Sequence, residues 1–503
     1  MPLVKKGFKG NQEVEVEARY IHVSNNTYFH YPCKERCSLV YAFFMRTLFL
    51  LLALLGNATP RATTTETPAL HALNLWLEAF NTGDSAKLMA FWQKYGTDAP
   101  APHVSGDQRL LHLTGGMKLV KVMQDNGTHL VAVMEEGSGN YTESTIELAS
   151  ANPLVVKAIM NHPAPPPPVA ENPAANDQDL AEQVKSHVAA LTAKDQFSGV
   201  ILIAHNGKLV LDQAWGMADR EKQIKNTVDT QFCLGSINKM FTAVAVLQLV
   251  QQGKLSLEGT ISNYWPDYPN HELASHVKIR QLLSHTGGTG DIFTPEYGAH
   301  RLETRSLDDY VKLYGNRPLR FEPGSISEYS NYGFILLGRL IEIASGETYD
   351  SYVQKHIFAP VGMTRTDSRP EIDQVPGRAI GYMKGPSGLQ PNTSTLPWSG
   401  TSAGGGYSTV GDLLLFASAL QSGKLLDPGL LQRATTDQAH TGYGFGFYAL
   451  KDGIYGHGGG SPGMNGEMHI IPKKGYIIAV LVNRDPFMAT GMASFIEAIL
   501  PAK

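Results

Sequence analysis

The chain has 503 residues, which is too long for one ordinary domain, so two or three domains are expected. Hydrophobic residues make up 43% of it, as in globular proteins. The formal net charge is −4, which excludes a general electrostatic attraction to nucleic acid.

The first 58 residues are predicted to be a leader. Residues 45–58 carry one positive charge, a short apolar run and then small residues, which is the pattern of a secretory signal peptide. We therefore interpret Met45 as the true start and residues 1–44 as an upstream extension. The apolar residues from Leu39 to Leu55 are also marginally long enough for an uncleaved membrane anchor. The sequence thus predicts a periplasmic or secreted protein, anchored in the membrane if the leader is not cleaved.

The chain contains three cysteines, and two of them, Cys33 and Cys37, lie in this leader. Cys233 alone cannot form an internal disulfide, and its apolar surroundings predict a small buried hydrophobic residue rather than a nucleophile. The fold of the exported part must therefore depend on its hydrophobic core.

Residues 65–161 are predicted to form a small α+β domain. A helix with apolar residues at helical spacing, from Leu73 to Phe80, ends at a polar, glycine-containing turn. Four strand-like runs follow: Met117–Met123, Leu130–Met134, Thr142–Leu148 and Leu154–Met160. This order resembles the cone-like fold of ketosteroid isomerase, which often serves as an accessory pocket. No acid/base constellation stands out here, so an accessory role is expected.

A proline-rich linker over residues 162–176 separates this region from a second domain, residues 177–503. An amphipathic helix opens the second domain, and two strands flanking Asn206-Gly207 predict a hairpin. Three more strands and a closing helix are expected near the end of the chain: Gly444–Leu450, Gly466–Ile471, Tyr476–Val482 and Asp485–Leu500. Early and late strands together predict one antiparallel sheet of five or more strands, closed by both chain ends and covered by helices, in an α+β fold.

Ser236 and Lys239 are the first candidate catalytic pair. They follow a glycine and precede a long apolar helix that ends near Gly253. A spacing of three places both side chains on one helix face, near the positive helix N-terminus. A serine hydroxyl is a weak nucleophile until a base takes its proton. Ser-x-x-Lys also occurs at residues 275–278, without the glycine turn and the long helix, so the context favours Ser236; a capping serine beside a surface lysine is the alternative.

Two further motifs could complete a site. Tyr329 and Asn331 follow a Pro-Gly turn and precede an apolar helix, so a loop could present their side chains to a cleft. A lysine cation nearby could lower the pKa of the tyrosine enough for it to act as a base. The glycine-rich run from Tyr455 to Gly460 could form a strand edge that a substrate approaches closely and whose N–H groups hold an oxyanion.

In this order and spacing, the three motifs resemble those of the serine β-lactamase/penicillin-binding-protein superfamily, most closely its class C-like branch of esterases and D-Ala-D-Ala peptidases. The segments 279–288 and 402–409 resemble it too, and the likeness covers residues 180–500. The resemblance implies an acyl-enzyme on Ser236, with Lys239 and Tyr329 sharing the proton and the N–H groups of Ser236 and Gly460 holding the oxyanion. It implies that the remaining motif residues bind substrate: Asn331, His457, Gly458 and Gly459.

One position departs from the family pattern. The third motif usually begins with lysine and threonine, and here His457 and Gly458 stand there. Histidine is mostly neutral at pH 7, whereas a permanent cation suits a substrate carboxylate. We therefore expect an esterase or D-amino-acid peptidase rather than an efficient β-lactamase, with a sensor that acylates without turnover as the alternative. If the charge of His457 matters for substrate binding, kcat/KM should titrate between about pH 5 and 8. The alternative to a substrate-binding role is a histidine whose hydrogen bonds are satisfied within the strand edge.

Other motifs are weaker. Ser402 and Ser461 match Gly-x-Ser-x-Gly, the nucleophile turn of the α/β-hydrolases. That turn lies between a strand and a helix, and neither serine is predicted to lie in such a place. His271 and His276 are five residues apart, whereas a zinc helix needs a spacing of four, so surface histidines are expected. The sequence thus predicts no metal and no cofactor, no nucleic-acid partner, and a small-molecule or peptide substrate with a reactive carbonyl.

Overall fold

The computed structural model describes residues 66–137, 141–164, 173–385 and 388–502. The predicted leader, with its signal peptide and two cysteines, lies outside them. Among the described residues, no helix is both long and apolar enough to cross a membrane.

The first described region packs three helices against a four-stranded antiparallel meander. Its elements are α1 (Pro68–Phe80), α2 (Ser85–Tyr95), α3 (Pro100–Thr114), β1 (Met117–Asp125), β2 (His129–Glu136), β3 (Tyr141–Ala151) and β4 (Leu154–Ala164). The predicted helix and four strands are confirmed, whereas α2 and α3 were not predicted. The likeness to the ketosteroid isomerase cone and the accessory role stay predictions.

The predicted start of the linker, at residue 162, is wrong. Strand β4 continues to Ala164 and pairs with β3 along this stretch, where His162 lies opposite Glu143. Pro163 is compatible with pairing because β4 is an edge strand, whose outer N–H groups need no partner in the sheet.

The second region begins at α4 (Asp177–Ala193), and most of its chain is helical or irregular. Its other helices are α5 (Asn238–Gln251), α6 (His271–His276), α7 (Ile279–Leu283), α8 (Pro295–His300), α9 (Leu307–Tyr314), α10 (Asn331–Ser345), α11 (Tyr349–Val353), α12 (Ala359–Val361), α13 (Val410–Gln421), α14 (Pro428–Ala434) and α15 (Met488–Ala498). Its strands are β5 (Gly199–His205), β6 (Lys208–Trp215), β7 (Met217–Asp219), β8 (Ile224–Lys225), β9 (Phe232–Cys233), β10 (Tyr382–Gly385), β11 (Gly388–Pro391), β12 (Tyr407–Ser408), β13 (Tyr448–Ala449), β14 (Tyr455–Ser461), β15 (Met464–Ile471) and β16 (Tyr476–Val482).

Six of these strands form one antiparallel sheet in the order β13-β14-β15-β16-β5-β6. The last strand, β16, pairs with the early strand β5 along its whole length, so both ends of the domain close the sheet as predicted. The strand expected over Gly444–Leu450 is reduced to Tyr448–Ala449. A tight turn interrupts it, because the Gly444 N–H bonds the Phe447 carbonyl and Gly446 has a positive φ of 73°.

The two faces of this sheet bury separate cores. Because side chains alternate along a strand, β5 directs Val200 and Leu202 to one face and Ile201 and Ile203 to the other. The first face packs against the helical part of the domain, including α5, α10 and α13. The second face packs against α4 and α15. We refer to them as the α5 face and the α15 face.

Helix α5 lies in the centre of the larger core. Eleven of its fourteen residues are buried, which explains why its sequence is apolar nearly all round. Cys233, which ends strand β9 ahead of this helix, is buried as predicted, and burial raises the pKa of its thiol to about 12.

Candidate active site

Ser236 lies in a 3₁₀ turn, Gly235–Ile237, that leads directly into α5. Two glycines bring strand β14 against this turn. A Cβ on Gly459 would lie 1.9 Å from the Leu234 carbonyl oxygen, and a Cβ on Gly235 would lie 2.8 Å from the Gly460 nitrogen. Gly235 also has a positive φ of 53°. The close approach places the Gly460 N–H beside the nucleophile turn, where the sequence predicts an oxyanion contact.

Lys239 follows one helical turn later, and its side chain is fully buried. Its Nζ lies 3.2 Å from Ser236 Oγ and 2.6 Å from Asn331 Oδ1, and it also contacts the Ala403 carbonyl. A neutral amine has two N–H bonds and one lone pair. Because Asn331 and Ala403 accept those two hydrogen bonds, the lone pair faces Ser236 Oγ. This arrangement suits proton removal from the serine hydroxyl.

Burial lowers the pKa of Lys239 to about 7, against an opposing effect of the nearby Asp291 carboxylate. The low dielectric of the core disfavours the ammonium form. A large fraction of Lys239 is therefore a neutral amine near neutral pH. This is the protonation state that a general base requires.

Tyr329 contacts the same oxygen, Ser236 Oγ. Its hydroxyl donates a 2.8 Å hydrogen bond to Ser236 Oγ, and Lys239 Nζ lies 4.7 Å from the centre of its ring. His285 packs on the ring at 4.1 Å and accepts a hydrogen bond from the backbone N–H of Ser330. Burial keeps the pKa of His285 well below its ordinary value, so the imidazole that packs on Tyr329 is neutral.

Asn331 is brought into the site, but both ends of its amide already have partners. Its Oδ1 accepts from Lys239, and its Nδ2 donates to both carboxylate oxygens of Asp291 at 3.0 and 3.2 Å. Sequence reasoning missed Asp291 and Ala403. Asp291 follows the glycine-rich end of the segment that resembles the family, which is the one available signal. Ala403 lies in the segment 402–409 that also resembles the family, but it acts through its backbone carbonyl, which the residue type does not indicate.

The structure places His457 inside the sheet edge, with no exposed surface. Its Nε2 lies 2.8 Å from the Tyr443 hydroxyl, its Nδ1 lies 2.5 Å from the Gly458 carbonyl, and its ring stacks on Tyr448 at 4.7 Å. Burial, with the Lys239 charge, lowers its pKa to about 3. This pKa lies below the range of pH 5 to 8 in which kcat/KM should titrate if the charge of His457 matters, and the geometry favours the alternative of a histidine whose hydrogen bonds are satisfied within the sheet.

Gly458 faces the other side of the sheet. A Cβ there would lie 2.6 Å from Glu467 Oε2 and 2.8 Å from the Tyr448 hydroxyl, so a threonine would require the ends of both side chains to move. Glu467 itself lies opposite Gly458 in the sheet register. The two positions that usually carry lysine and threonine are thus occupied by a neutral imidazole and by a glycine packed against a carboxyl group.

The competing motifs do not form sites. Ser402 is fully buried, and its Oγ has no hydrogen-bond partner among the described residues. Ser461 ends β14 at a turn into β15, not ahead of a helix. His271 and His276 are exposed on the short helix α6. No group of three or more potential metal ligands occurs in the described part of the chain.

Comparison with known proteins identifies the family. The family model described as Beta-lactamase matches residues 184–499. The chain belongs to the β-lactamase family. As a member of this family, with the site described above, it is a serine hydrolase.

Curated relatives and solved structures agree with this assignment. The putative penicillin-binding protein PbpX of Bacillus subtilis is 32% identical over 292 residues, covering 57% of this chain and 70% of the relative. The structure of a penicillin-binding protein from Bacillus halodurans aligns with a TM-score of 0.58 and 29% identity, over 62% of this chain and all of the other. A D-amino acid amidase from Ochrobactrum anthropi SV3 aligns with a TM-score of 0.56 and 26% identity, over 64% of this chain and 97% of the other.

Proposed function

We propose that this β-lactamase-family member is an exported hydrolase that cleaves ester or amide bonds through an acyl-enzyme on Ser236. The observation that supports this most directly is the convergence of Lys239 Nζ and the Tyr329 hydroxyl on Ser236 Oγ, at 3.2 and 2.8 Å. A nucleophile, a base with a lowered pKa and a second proton-transfer group meet at one oxygen atom.

The proposed reaction has two steps. Neutral Lys239 takes the proton of Ser236 while Oγ bonds to the substrate carbonyl carbon, and the N–H groups of Ser236 and Gly460 stabilise the oxyanion. Collapse of this intermediate expels the alcohol or amine, which receives a proton through Tyr329 or Lys239. Water then attacks the acyl-enzyme and releases the acid.

We propose neutral esters and D-amino-acid amides or peptides as the preferred substrates. The groups at the third motif support this preference, because His457 is neutral and Gly458 packs against the Glu467 carboxyl group. Neither offers the cation that a substrate carboxylate needs. The alignment with a D-amino acid amidase supports the amide arm of the proposal.

A substrate panel tests this preference. We expect p-nitrophenyl esters and D-phenylalanine amide to give a kcat/KM at least roughly tenfold above that of nitrocefin, which carries a carboxylate; tenfold corresponds to about 1.4 kcal/mol of transition-state binding. Nitrocefin turnover equal to that of the best neutral substrate would contradict the preference.

Export is proposed from the signal-peptide pattern of residues 45–58. The protein would then act in the periplasm or outside the cell, or on the membrane if the leader remains attached. N-terminal sequencing of the protein from its native cells tests this. A mature N-terminus just after residue 58 is expected. A soluble protein whose N-terminus is Met45 or an earlier residue would contradict both a cleaved signal peptide and a retained membrane anchor.

The assignment of the nucleophile is tested with a fluorophosphonate probe. Ser236→Ala should lose labelling and ester turnover, whereas Ser402→Ala, the buried serine of the competing motif, should keep both. Retained turnover in Ser236→Ala, with a normal melting temperature, would overturn the proposed mechanism.

A second candidate is a penicillin-binding sensor that is acylated without turnover. The likeness to proteins named as penicillin-binding proteins favours it. Pre-steady-state kinetics separate the two candidates. A hydrolase gives continuous product release, whereas a sensor gives one equivalent of product and then stops.

A further inference from the structure

We propose that Asp291 is a positioning residue for the acyl transfer: it fixes the orientation of the Asn331 amide and thereby aims the lone pair of Lys239 at Ser236. The proposal rests on the mechanism proposed above. It adds a residue from outside the three motifs, which acts through Asn331 and does not touch the substrate.

Three donors surround the Asp291 carboxylate, which lies in the loop ahead of α8. Its Oδ1 accepts a 2.6 Å hydrogen bond from the backbone N–H of Ile292, and the backbone N–H of Phe293 also donates to it. The Asn331 amide is the third donor. Burial raises the pKa of Asp291, and the three donors together with the Lys239 charge oppose that effect. Every one of these hydrogen-bond contacts is a donor, which suits an ionised carboxylate, because such a group can only accept.

An amide has two ends of opposite hydrogen-bonding character. Since Asp291 accepts only, the NH₂ group of Asn331 must face it, and Oδ1 must then face Lys239. With the amide reversed, its NH₂ group would face the N–H bonds of Lys239, and its oxygen would face the Asp291 carboxylate. Two donors would then meet at one end and two acceptors at the other. Asp291 thus excludes the orientation in which the lone pair of Lys239 would turn away from Ser236.

The negative charge of Asp291 has a second effect, on the protonation of Lys239. The titratable groups around Lys239 are Tyr329, His285 and His457, in addition to Asp291. The pKa values of both histidines are lowered, which leaves Asp291 as the anion that opposes the effect of burial on the Lys239 ammonium. Removing that charge should therefore lower the pKa of Lys239 further.

The test measures the rate of Ser236 labelling by a fluorophosphonate as a function of pH, which needs no knowledge of the natural substrate. The parent should show a single rise with a midpoint near pH 7, as Lys239 loses its proton. In Asp291→Asn the plateau rate should fall on the order of 10²-fold, the usual effect of a misplaced reacting group. Its midpoint should also move to lower pH.

Asp107→Asn is the matched control. Asp107 is a buried carboxyl group in the first region, where its Oδ2 accepts hydrogen bonds from Trp76 and Trp92. The Asp107→Asn variant should label Ser236 with the same plateau rate and the same midpoint pH as the parent. If Asp291→Asn does not fold, Asp291→Ala serves in its place, because it removes the charge without placing an NH₂ group against the Ile292 N–H.

The readouts separate positioning from a structural role. A reduced plateau with an unchanged or raised midpoint, or no change in either, would overturn the proposal. In an Asn331→Ala background, Asp291→Asn should change the plateau by less than about twofold, because residues that act as one unit are not additive; additive losses would overturn it as well. Absence of labelling in the parent would contradict Ser236 as the nucleophile, whereas a labelled parent with an unaffected Asp291→Asn contradicts this inference alone.

Discussion

Both faces of the six-stranded sheet bury basic side chains, Lys239 and His457 on the α5 face and His469 on the α15 face, and the surroundings on the two faces shift the pKa values in opposite directions. On the α5 face, burial lowers the pKa values of Lys239 and His457 to about 7 and about 3. On the α15 face, burial alone would lower the pKa of His469 as well. Two carboxylates, Glu467 and Glu497, instead raise it to about 9.

The difference lies in the neighbours. His469 Nε2 lies 3.3 Å from Glu467, and its Nδ1 lies 3.0 Å from Glu497 of α15. The partners of Lys239 are an amide oxygen, a backbone carbonyl and a hydroxyl, none of which carries a charge. Neutral acceptors orient an amine without fixing its proton, whereas carboxylates fix the proton. The α5 face therefore suits catalysis, and the α15 face suits an ion pair that supports the fold.

The largest expected effect is on the α5 face. Lys239→Met should reduce kcat/KM by about 10⁴-fold or more, as the loss of a general base does in other serine hydrolases. Its free energy of unfolding should change by less than about 2 kcal/mol, because removing a buried amine also removes its desolvation cost. Ester turnover and urea denaturation measure the two quantities. A Lys239→Met variant that loses more unfolding free energy than this but keeps its kcat/KM would reverse the comparison.

The α15 face should respond in the opposite way. His469→Gln leaves Glu467 buried without its cation, which should cost about 3–5 kcal/mol of unfolding free energy. The kcat/KM of the folded protein should change by less than about tenfold. Glu467→Gln in the same chain should restore part of the stability, since the uncompensated charge is then gone. A double variant no more stable than His469→Gln would show that the ion pair is not the cause.

The three motifs predicted the residues that meet at Ser236 because each has a local signal: a glycine before α5, a Pro-Gly turn before α10, and the glycine run of strand β14. Local signals also predicted α5 and the Asn206-Gly207 hairpin, because each depends on apolar periodicity or on turn chemistry within a few residues. The closure of the sheet was predicted from the placement of strands early and late in the domain, although the pairing of β5 with β16 is itself a long-range contact.

The remaining features depend on long-range contacts. The proximity of Asp291 to Asn331 results from the packing of a loop against the start of α10, which no local pattern encodes. The burial of His457 depends on Tyr443 and Tyr448, and its motif position alone suggested a substrate contact. The short strand β13 depends on Gly446, whose added Cβ would lie 2.5 Å from Ala243 in α5.

The pH dependence of stability sharpens the comparison further. The pKa of His469 is raised in the folded state above its ordinary value of 6.5, so its contribution is complete below about pH 6.5. That contribution is lost as the pH rises through about 9, by about 3 kcal/mol in all. Urea denaturation at pH 6 and pH 10 measures the loss. The double variant His469→Gln/Glu467→Gln should lack this component, and an equal loss there would assign it to other groups.

The smallest expected effect concerns His457, the residue that departs from the family pattern. Because its imidazole is neutral above about pH 3, replacing it removes no charge from the surroundings of Lys239 at working pH. His457→Gln should therefore leave the midpoint of the kcat/KM profile near pH 7, where Lys239 titrates, even if the rate itself changes. A profile of ester hydrolysis from pH 5 to 9 measures this. A midpoint displaced by a full pH unit would mean that His457 carries charge in the working enzyme, and both faces of the sheet would then hold a buried cation.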